Sequence, residues 1–143
     1  MSLLNLEHAR TIVRAAREAG RAKDLDPLAV AVLDSGGHLK AFEREDGTSV
    51  LRFEIARGKA FGAIGLGIGS RAIFERAQEQ AYFVSAVNAL AGGSLVPVPG
   101  GVLIKSDAGK IVGAVGISGD NSDNDEACAI AGIEAAGFVA DPG

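Results

Sequence analysis

The chain has 143 residues, 48% of them hydrophobic, so it can bury one ordinary core without a metal or disulfide staple. Fourteen Lys and Arg residues against 18 Asp and Glu residues give a net charge of −4, which argues against nucleic acid or an anionic membrane as the main partner. The single cysteine, Cys128, cannot form an internal disulfide, and two histidines are too few for a structural zinc site. We expect a single domain that spans residues 1–143.

The amino-terminal segment does not have the residue pattern of a targeting signal. Glu7, His8 and Arg10 interrupt the apolar core that a signal peptide needs, and no apolar run reaches the roughly 18 residues of a membrane span. The expected location is the cytoplasm.

The first third of the chain predicts a helix followed by a hairpin. Asn5 is placed to cap a helix that Gly20 ends, because apolar residues recur every three or four positions between them. The apolar run 28–33 predicts a buried strand, and the alternating run 38–43 predicts its antiparallel partner across the turn at 34–37.

The middle of the chain predicts further helices. Thr48 or Ser49 is placed to cap a second helix over about 50–64, which a glycine-rich stretch then ends. Ser70 is placed to cap a short third helix. Residues 81–90 fit either a helix or irregular structure.

The last third predicts extended segments and a final helix. Two prolines restrict 92–101 to extended or edge backbone, and 102–105 and 111–118 predict a second hairpin. Ser122 begins a capping box for a helix that Gly137 ends. The predicted order α-ββ-α(α)-βββ-α indicates an α+β protein with helices packed on an antiparallel sheet.

Motifs of common catalytic chemistries are missing from the sequence. A dinucleotide-binding loop is suggested by the spacing of Gly65, Gly67 and Gly69. However, a serine occupies the position where the last glycine of that motif would fall, and no strong strand precedes the segment. The sequence has no Walker A motif, no nucleophile elbow and no zinc-protease motif. Cys128 lies among alanines, which is typical of a small buried side chain.

His8 is a candidate ligand of haem iron. On the helical wheel it lies beside Ile12, Ala15 and Ala19, where an imidazole among small apolar side chains leaves room for a flat ligand and offers a nitrogen to a metal centre. The alternative is a helix-start histidine that bonds to backbone or to a neighbouring subunit.

A second group of candidates could hold or process an anion. Lys59 lies between small residues and could pair with a carboxylate or a propionate, or it could be an ordinary surface lysine. Gly100 and Gly101 offer backbone amides to an anion, unless they form an ordinary edge turn. Asp125 and Glu126 suit a helix start, and they could also act as a general acid-base pair.

Four stretches resemble one known family. They are Ile55-Ala56 with Lys59-Ala60, the double-proline segment Leu95–Val102, the glycine-rich run Ile111–Gly119, and Asp125–Ile133. In this order they resemble the GlcG/HbpS family, also called the haem-degrading domain family, which includes the carboxy-terminal domain of PduO-type proteins. Leu103, Phe61-Gly62 and Asp120 depart from residues that are usual in the family.

The resemblance implies a profilin-like sandwich, in which a five-stranded antiparallel sheet is flanked by helices. It also implies symmetric homo-oligomers, often octamers, and haem or tetrapyrrole binding in some members. Other members are linked to catabolic pathways.

Two functional hypotheses follow, and a third interpretation is a purely structural or interaction subunit that binds no small ligand. In the first, the chain is an oligomeric, non-enzymatic protein that binds haem or a similar planar anion, with His8 as the axial ligand and Lys59, Gly100 and Gly101 as further contacts. In the second, it is a catabolic enzyme or accessory factor for a small carboxylic acid, held by Lys59 and the glycine amides, with Asp125 or Glu126 moving a proton. Both need an open cavity edged by the first two helices and the double-proline turn.

Overall fold

The computed structural model describes residues 3–143. The helices are α1 (Leu6–Ala22), α2 (Arg52–Leu66), α3 (Ser70–Glu79), α4 (Ala81–Leu90) and α5 (Ser122–Ala135). The strands are β1 (Ala29–Asp34), β2 (Leu39–Arg44), β3 (Gly101–Lys105), β4 (Ile111–Ser118) and β5 (Val139–Asp141).

The five strands form one sheet in the order β2-β1-β4-β3-β5, and every neighbouring pair is antiparallel. Both predicted hairpins, β1-β2 and β3-β4, are confirmed. The sheet is flanked by helices, so the predicted α+β class with a five-stranded antiparallel sheet is confirmed as well.

Helices cover both faces of the sheet. Val30 and Val32 of β1 point into the core formed with α1 and α5, whereas Ala31 and Leu33 point to the side of α2. Burial on both faces explains why β1 is a continuous apolar run instead of an alternating one.

Small residues allow the layers to approach closely. A Cβ on Gly116 of β4 would lie 1.8 Å from the carbonyl oxygen of Ala56 in α2, and one on Gly132 of α5 would lie 2.6 Å from that of Ile12 in α1. Gly20 likewise faces Leu28, with 2.6 Å between its ideal Cβ and Leu28 Cδ1. The prediction that Gly20 ends α1 is therefore wrong: this glycine serves packing, and the helix continues to Ala22.

The predicted starts of α2 and α3, and that of α5 described below, are shifted. Helix α2 has Leu51 as its N-cap and no side-chain cap, so neither Thr48 nor Ser49 plays that part. Ser70 is the first residue of α3, after the N-cap Gly69.

The cap of α5 is Asn121, whose side chain accepts a hydrogen bond from the amide of Asn124. The predicted capping box at Ser122 is therefore wrong by one residue. Gly137, with φ of 85°, follows the end of α5 as predicted.

The fifth strand lies elsewhere than the residue pattern predicts. Residues 92–100 are not a strand, and the strand that completes the sheet is β5, which pairs with the edge of β3 after α5. At only three residues, β5 is too short for a period-two pattern to reveal it. The segment 81–90, which fits two interpretations, is the helix α4.

Candidate functional site

Four of the six predicted site residues meet at one end of the sheet, where β4 ends and β3 begins. Lys59 comes from the middle of α2, Asp125 from the first turn of α5, and Gly100 and Gly101 from the start of β3. They converge because α2 and α5 cover opposite faces of β4 and both pass this end of the strand.

Lys59 and Asp125 form a buried ion pair. The Lys59 Nζ donates to the carbonyl oxygen of Ile117 at 2.8 Å and lies 3.2 Å from Asp125 Oδ2. Lys59 is 2% exposed and Asp125 is 1% exposed. The other oxygen of Asp125 accepts from the amide of Asp120 at 3.0 Å.

Burial opposes both charges of this pair. It lowers the pKa of Lys59 and raises the pKa of Asp125, although each charge favours ionisation of the other. Because both groups satisfy each other within the chain, the pair ties α2 to α5 and offers neither charge to solvent.

The two glycines make room for this pair. Gly100 has φ of 120°, and a Cβ there would lie 2.9 Å from Lys59 Nζ. The amide of Gly101 donates to Ser70 Oγ at 2.7 Å, so that amide already has an internal partner. Close backbone approach to Lys59 accounts for both glycines without an anion.

Glu126 is engaged with an arginine of α3. Its Oε2 accepts from Arg71 Nε at 2.9 Å and its Oε1 accepts from Arg71 Nη2 at 3.3 Å, and Arg71 also contacts Asp123. The two carboxylates raise the pKa of Arg71 above its usual range. Arg71 could not be predicted from the sequence, because nothing in the pattern of α3 shows that its side chain reaches α5.

His8 lies far from this group, in the first turn of α1. Its amide donates to Asn5 Oδ1 at 2.8 Å, and its Nδ1 accepts from the Asn5 amide at 3.2 Å, which is a reciprocal capping box. The half-buried ring packs edge-on against Phe138, with 4.9 Å between ring centroids. Nδ1 is therefore the acceptor nitrogen, and neutral His8 carries its proton on Nε2.

His8 and Lys59 do not share a cavity within one chain. His8 contacts Phe138, just beyond the carboxyl end of α5, whereas Lys59 contacts Asp125 in the first turn of that helix. At about 1.5 Å per residue, these two ends of α5 are about 20 Å apart. Because α1 and α2 lie on opposite faces of the sheet, residues 3–143 form no cavity edged by both helices and the double-proline turn.

The larger surface openings lie elsewhere. A groove of about 590 Å³ runs between α1 and β2, with Leu6, Val13 and Phe42 among its walls and arginines along one side. Another, of about 500 Å³, lies between the start of α2 and residues 93–96. Across residues 3–143, no three His, Cys, Asp or Glu side chains are grouped so that they could hold a metal ion.

None of the helices described in residues 3–143 is both long and apolar enough to span a membrane. Cys128 is fully buried, and burial raises the pKa of its thiol, which agrees with its prediction as a small core residue.

These features define the class: an α+β protein whose antiparallel sheet lies between α1 and α5 on one face and α2 on the other, with a Lys–Asp pair closing one end. A family model described as "Haem degrading protein HbpS-like" matches residues 4–134. The chain belongs to this HbpS-like family, which confirms the resemblance seen in the sequence.

Solved structures agree with this assignment. The PduOC:heme complex is 23% identical, with a TM-score of 0.85 over 96% of this chain and 97% of that one. The ORFY protein of Klebsiella pneumoniae is 20% identical, with a TM-score of 0.85 over 96% and 93%. A double mutant of Streptomyces reticuli HbpS is 27% identical, with a TM-score of 0.79 over 94% and 87%. No curated protein matches the chain.

Proposed function

We propose that the protein binds haem or a related tetrapyrrole and acts in a symmetric homo-oligomer, such as an octamer. Membership of the HbpS-like family and the likeness to a domain crystallised with haem support a haem-associated ligand-binding role. Within the chain, the observation that carries the proposal is the half-buried imidazole of His8, which packs on Phe138 and leaves Nε2 outside the capping box.

The surroundings of His8 suit a flat apolar ligand. Leu3 precedes the capping box and is 56% exposed, and Val139 follows the ring partner Phe138 and is 49% exposed. Exposed apolar side chains of this size, close in sequence to the residues that His8 contacts, are typical of a surface that another molecule covers.

The residues fit haem at His8 and do not fit it at Lys59. The Nε2 of His8 takes no part in the capping box and is the nitrogen that would face an iron. Binding through Nε2 needs the proton on Nδ1, so the bond from the Asn5 amide to Nδ1 must open. Lys59 could reach a propionate only by leaving Asp125 buried and unpaired, so we assign the tetrapyrrole to His8 without Lys59, Gly100 or Gly101.

A glutamine at position 8 separates the two roles of the histidine. Glutamine at the third position of a helix preserves the capping box, so His8→Gln keeps both of its bonds and removes the imidazole. His8→Ala removes the imidazole and the bond to the Asn5 amide, and keeps only the bond from the residue 8 amide to Asn5 Oδ1. Titration of the wild type with haemin should shift the Soret band, and both variants should lose that shift. A Soret shift that His8→Gln leaves unchanged would overturn the assignment to His8.

Assembly would involve the apolar helix α4. Its ten residues include no charged side chain, and Tyr82 is 74% and Leu90 is 88% exposed. An apolar depression of about 190 Å³ lies beside it, between α4 and α2, with Phe61, Leu66 and Leu90 among its walls. A second copy of the chain would cover this surface, as the proposed oligomer requires.

A further inference from the structure

A small polar cavity opens where α2 begins, separate from both His8 and the enclosed Lys59–Asp125 pair. Its volume is about 240 Å³, and Asp26, Thr48, Ser49, Arg52 and Gly119 are among its lining residues. Typical pockets for drug-sized ligands are about 300–1,000 Å³, so this cavity has room for a small molecule and none for a tetrapyrrole.

Two hydrogen bonds orient Arg52 in the wall of this cavity. Its Nη1 donates to the fully buried Ser118 Oγ at 2.9 Å, and its Nε donates to Ser49 Oγ at 3.1 Å. A guanidinium has five N–H groups, so three remain for another acceptor. Two hydroxyl contacts thus orient the group without neutralising it.

Arg52 differs from Arg17 and Arg71 in having no carboxylate partner among residues 3–143; the half-buried Arg57 also lacks one there, but it stacks over Phe61. Arg17 pairs with Glu43 and Glu45, and Arg71 pairs with Asp123 and Glu126. Asp26 lines the same cavity but makes no ion pair with Arg52. A positioned, partly desolvated cation without a counter-ion favours an anionic occupant.

Neighbouring groups add to the positive potential. Helix α2 begins at Arg52 without a side-chain cap, so the positive end of its dipole adds to this potential, and Glu54 in the first turn offsets part of it. The charge of Arg52 also reaches Lys59, where it contributes to lowering the pKa of that amine. The carboxylate of Asp26 acts in the opposite sense and limits how much negative charge an occupant can carry.

We propose that this cavity is a binding site for a small monocarboxylate, with the guanidinium of Arg52 as its principal contact. The three free N–H groups suit the paired hydrogen bonds that an arginine makes to a carboxylate. A dianion such as phosphate meets Asp26 and is disfavoured. No residue of this site belongs to the proposed tetrapyrrole site at His8.

The test is a titration of the isotopically labelled protein with sodium acetate, followed by amide NMR, with sodium chloride added to hold the ionic strength constant. The amides of Thr48, Ser49 and Gly119 should shift along saturable curves. In Arg52→Gln the affinity should fall at least about tenfold, which corresponds to about 1.4 kcal/mol.

Arg57→Gln is the matched control, because Arg57 lies on the same helix, stacks over Phe61 at 5.2 Å and is not part of the cavity. It should bind acetate like the wild type. Arg52→Lys keeps the charge and removes the planar guanidinium that can make paired hydrogen bonds, so it should bind acetate more weakly than the wild type. This variant replaces Arg52→Gln in the test if Arg52→Gln does not fold.

Linear shifts of equal size in the wild type and both Arg52 variants would overturn the proposal. Phosphate binding as tight as acetate binding would overturn the assignment to a monocarboxylate. The haemin titration of Arg52→Gln should match that of the wild type, so the failure of one site is distinguishable from failure of the other.

Discussion

The ammonium of Lys59 and the carboxylate of Asp125 lie 3.2 Å apart, although 66 residues separate them in the sequence. Lys59 belongs to α2 on one face of the sheet, and Asp125 belongs to α5, which packs with α1 on the other face. Their contact therefore joins the two helical layers around the end of β4, where the Ile117 carbonyl oxygen accepts a second bond from the same ammonium.

Removal of one partner from this pair should be strongly destabilising. Asp125→Ala leaves the ammonium of Lys59 buried without a counter-charge, and the expected loss is about 3–5 kcal/mol of the free energy of unfolding. The control is Glu18→Ala, which removes an exposed pair with Arg14 and should cost no more than about 0.5 kcal/mol. Urea unfolding measures both. A loss in Asp125→Ala as small as that in the control would show that the pair does not tie the layers together.

The sequence predicts the two members of this pair as functional residues and does not predict that they meet. Burial of Lys59 could not be read from its helical wheel, because small residues around a lysine are compatible with a core position and with an open pocket. The contact depends on how α2 and α5 are placed across the sheet. Arg52 was missed for the same reason, since its serine partners lie on different elements.

Local patterns predicted most of the fold. The bounds of β4 were predicted to the residue, because its apolar run ends in clear turns. The N-cap of α5 was predicted at Ser122 and lies at Asn121, because serine and asparagine cap helices equally well. The short strand β5 lacks a local signal and forms only because β3 offers a free edge.

Two glycines give opposite expectations for the same substitution. Gly116→Ala places a Cβ 1.8 Å from the Ala56 carbonyl oxygen, so α2 must move away from β4. The expected loss is about 1–3 kcal/mol of the free energy of unfolding. Gly65 lies exposed within α2 with no atom within 4 Å of an added Cβ, so Gly65→Ala should stabilise the protein by about 0.5–1 kcal/mol. Thermal unfolding compares the two, and equal effects would contradict the packing described here.

Asp120 should contribute to stability in a pH-dependent way. The hydrogen bond from Asn124 is the main cause that holds the pKa of Asp120 below its ordinary value of 3.8, and the amides of Asp26 and Asn121 act in the same direction. The folded state binds the proton less readily, so this contribution is present above the unfolded pKa and is lost as the pH falls through the lower folded value.

Asp120→Asn should therefore lower the melting temperature at neutral pH, and the difference from the wild type should shrink toward about pH 2. The matched control is Asp107→Asn, at an exposed turn position where the carboxylate makes no hydrogen bond within residues 3–143. A difference for Asp120→Asn that stays constant between neutral and acidic pH would contradict the stated cause.

The apolar surface of α4 predicts a charge-sensitive assembly. In light scattering coupled to gel filtration, the wild type should have a mass that is twice the 14.5 kDa chain mass or a higher whole-number multiple of it. Leu90→Glu puts a carboxylate on the most exposed large apolar residue described in the chain, so burial of this position between copies would become unfavourable and the mass should fall. The control is Leu39→Glu on the edge strand β2, which should assemble like the wild type. A monomeric wild type, or an unchanged mass for Leu90→Glu, would show that α4 is not covered by a second copy.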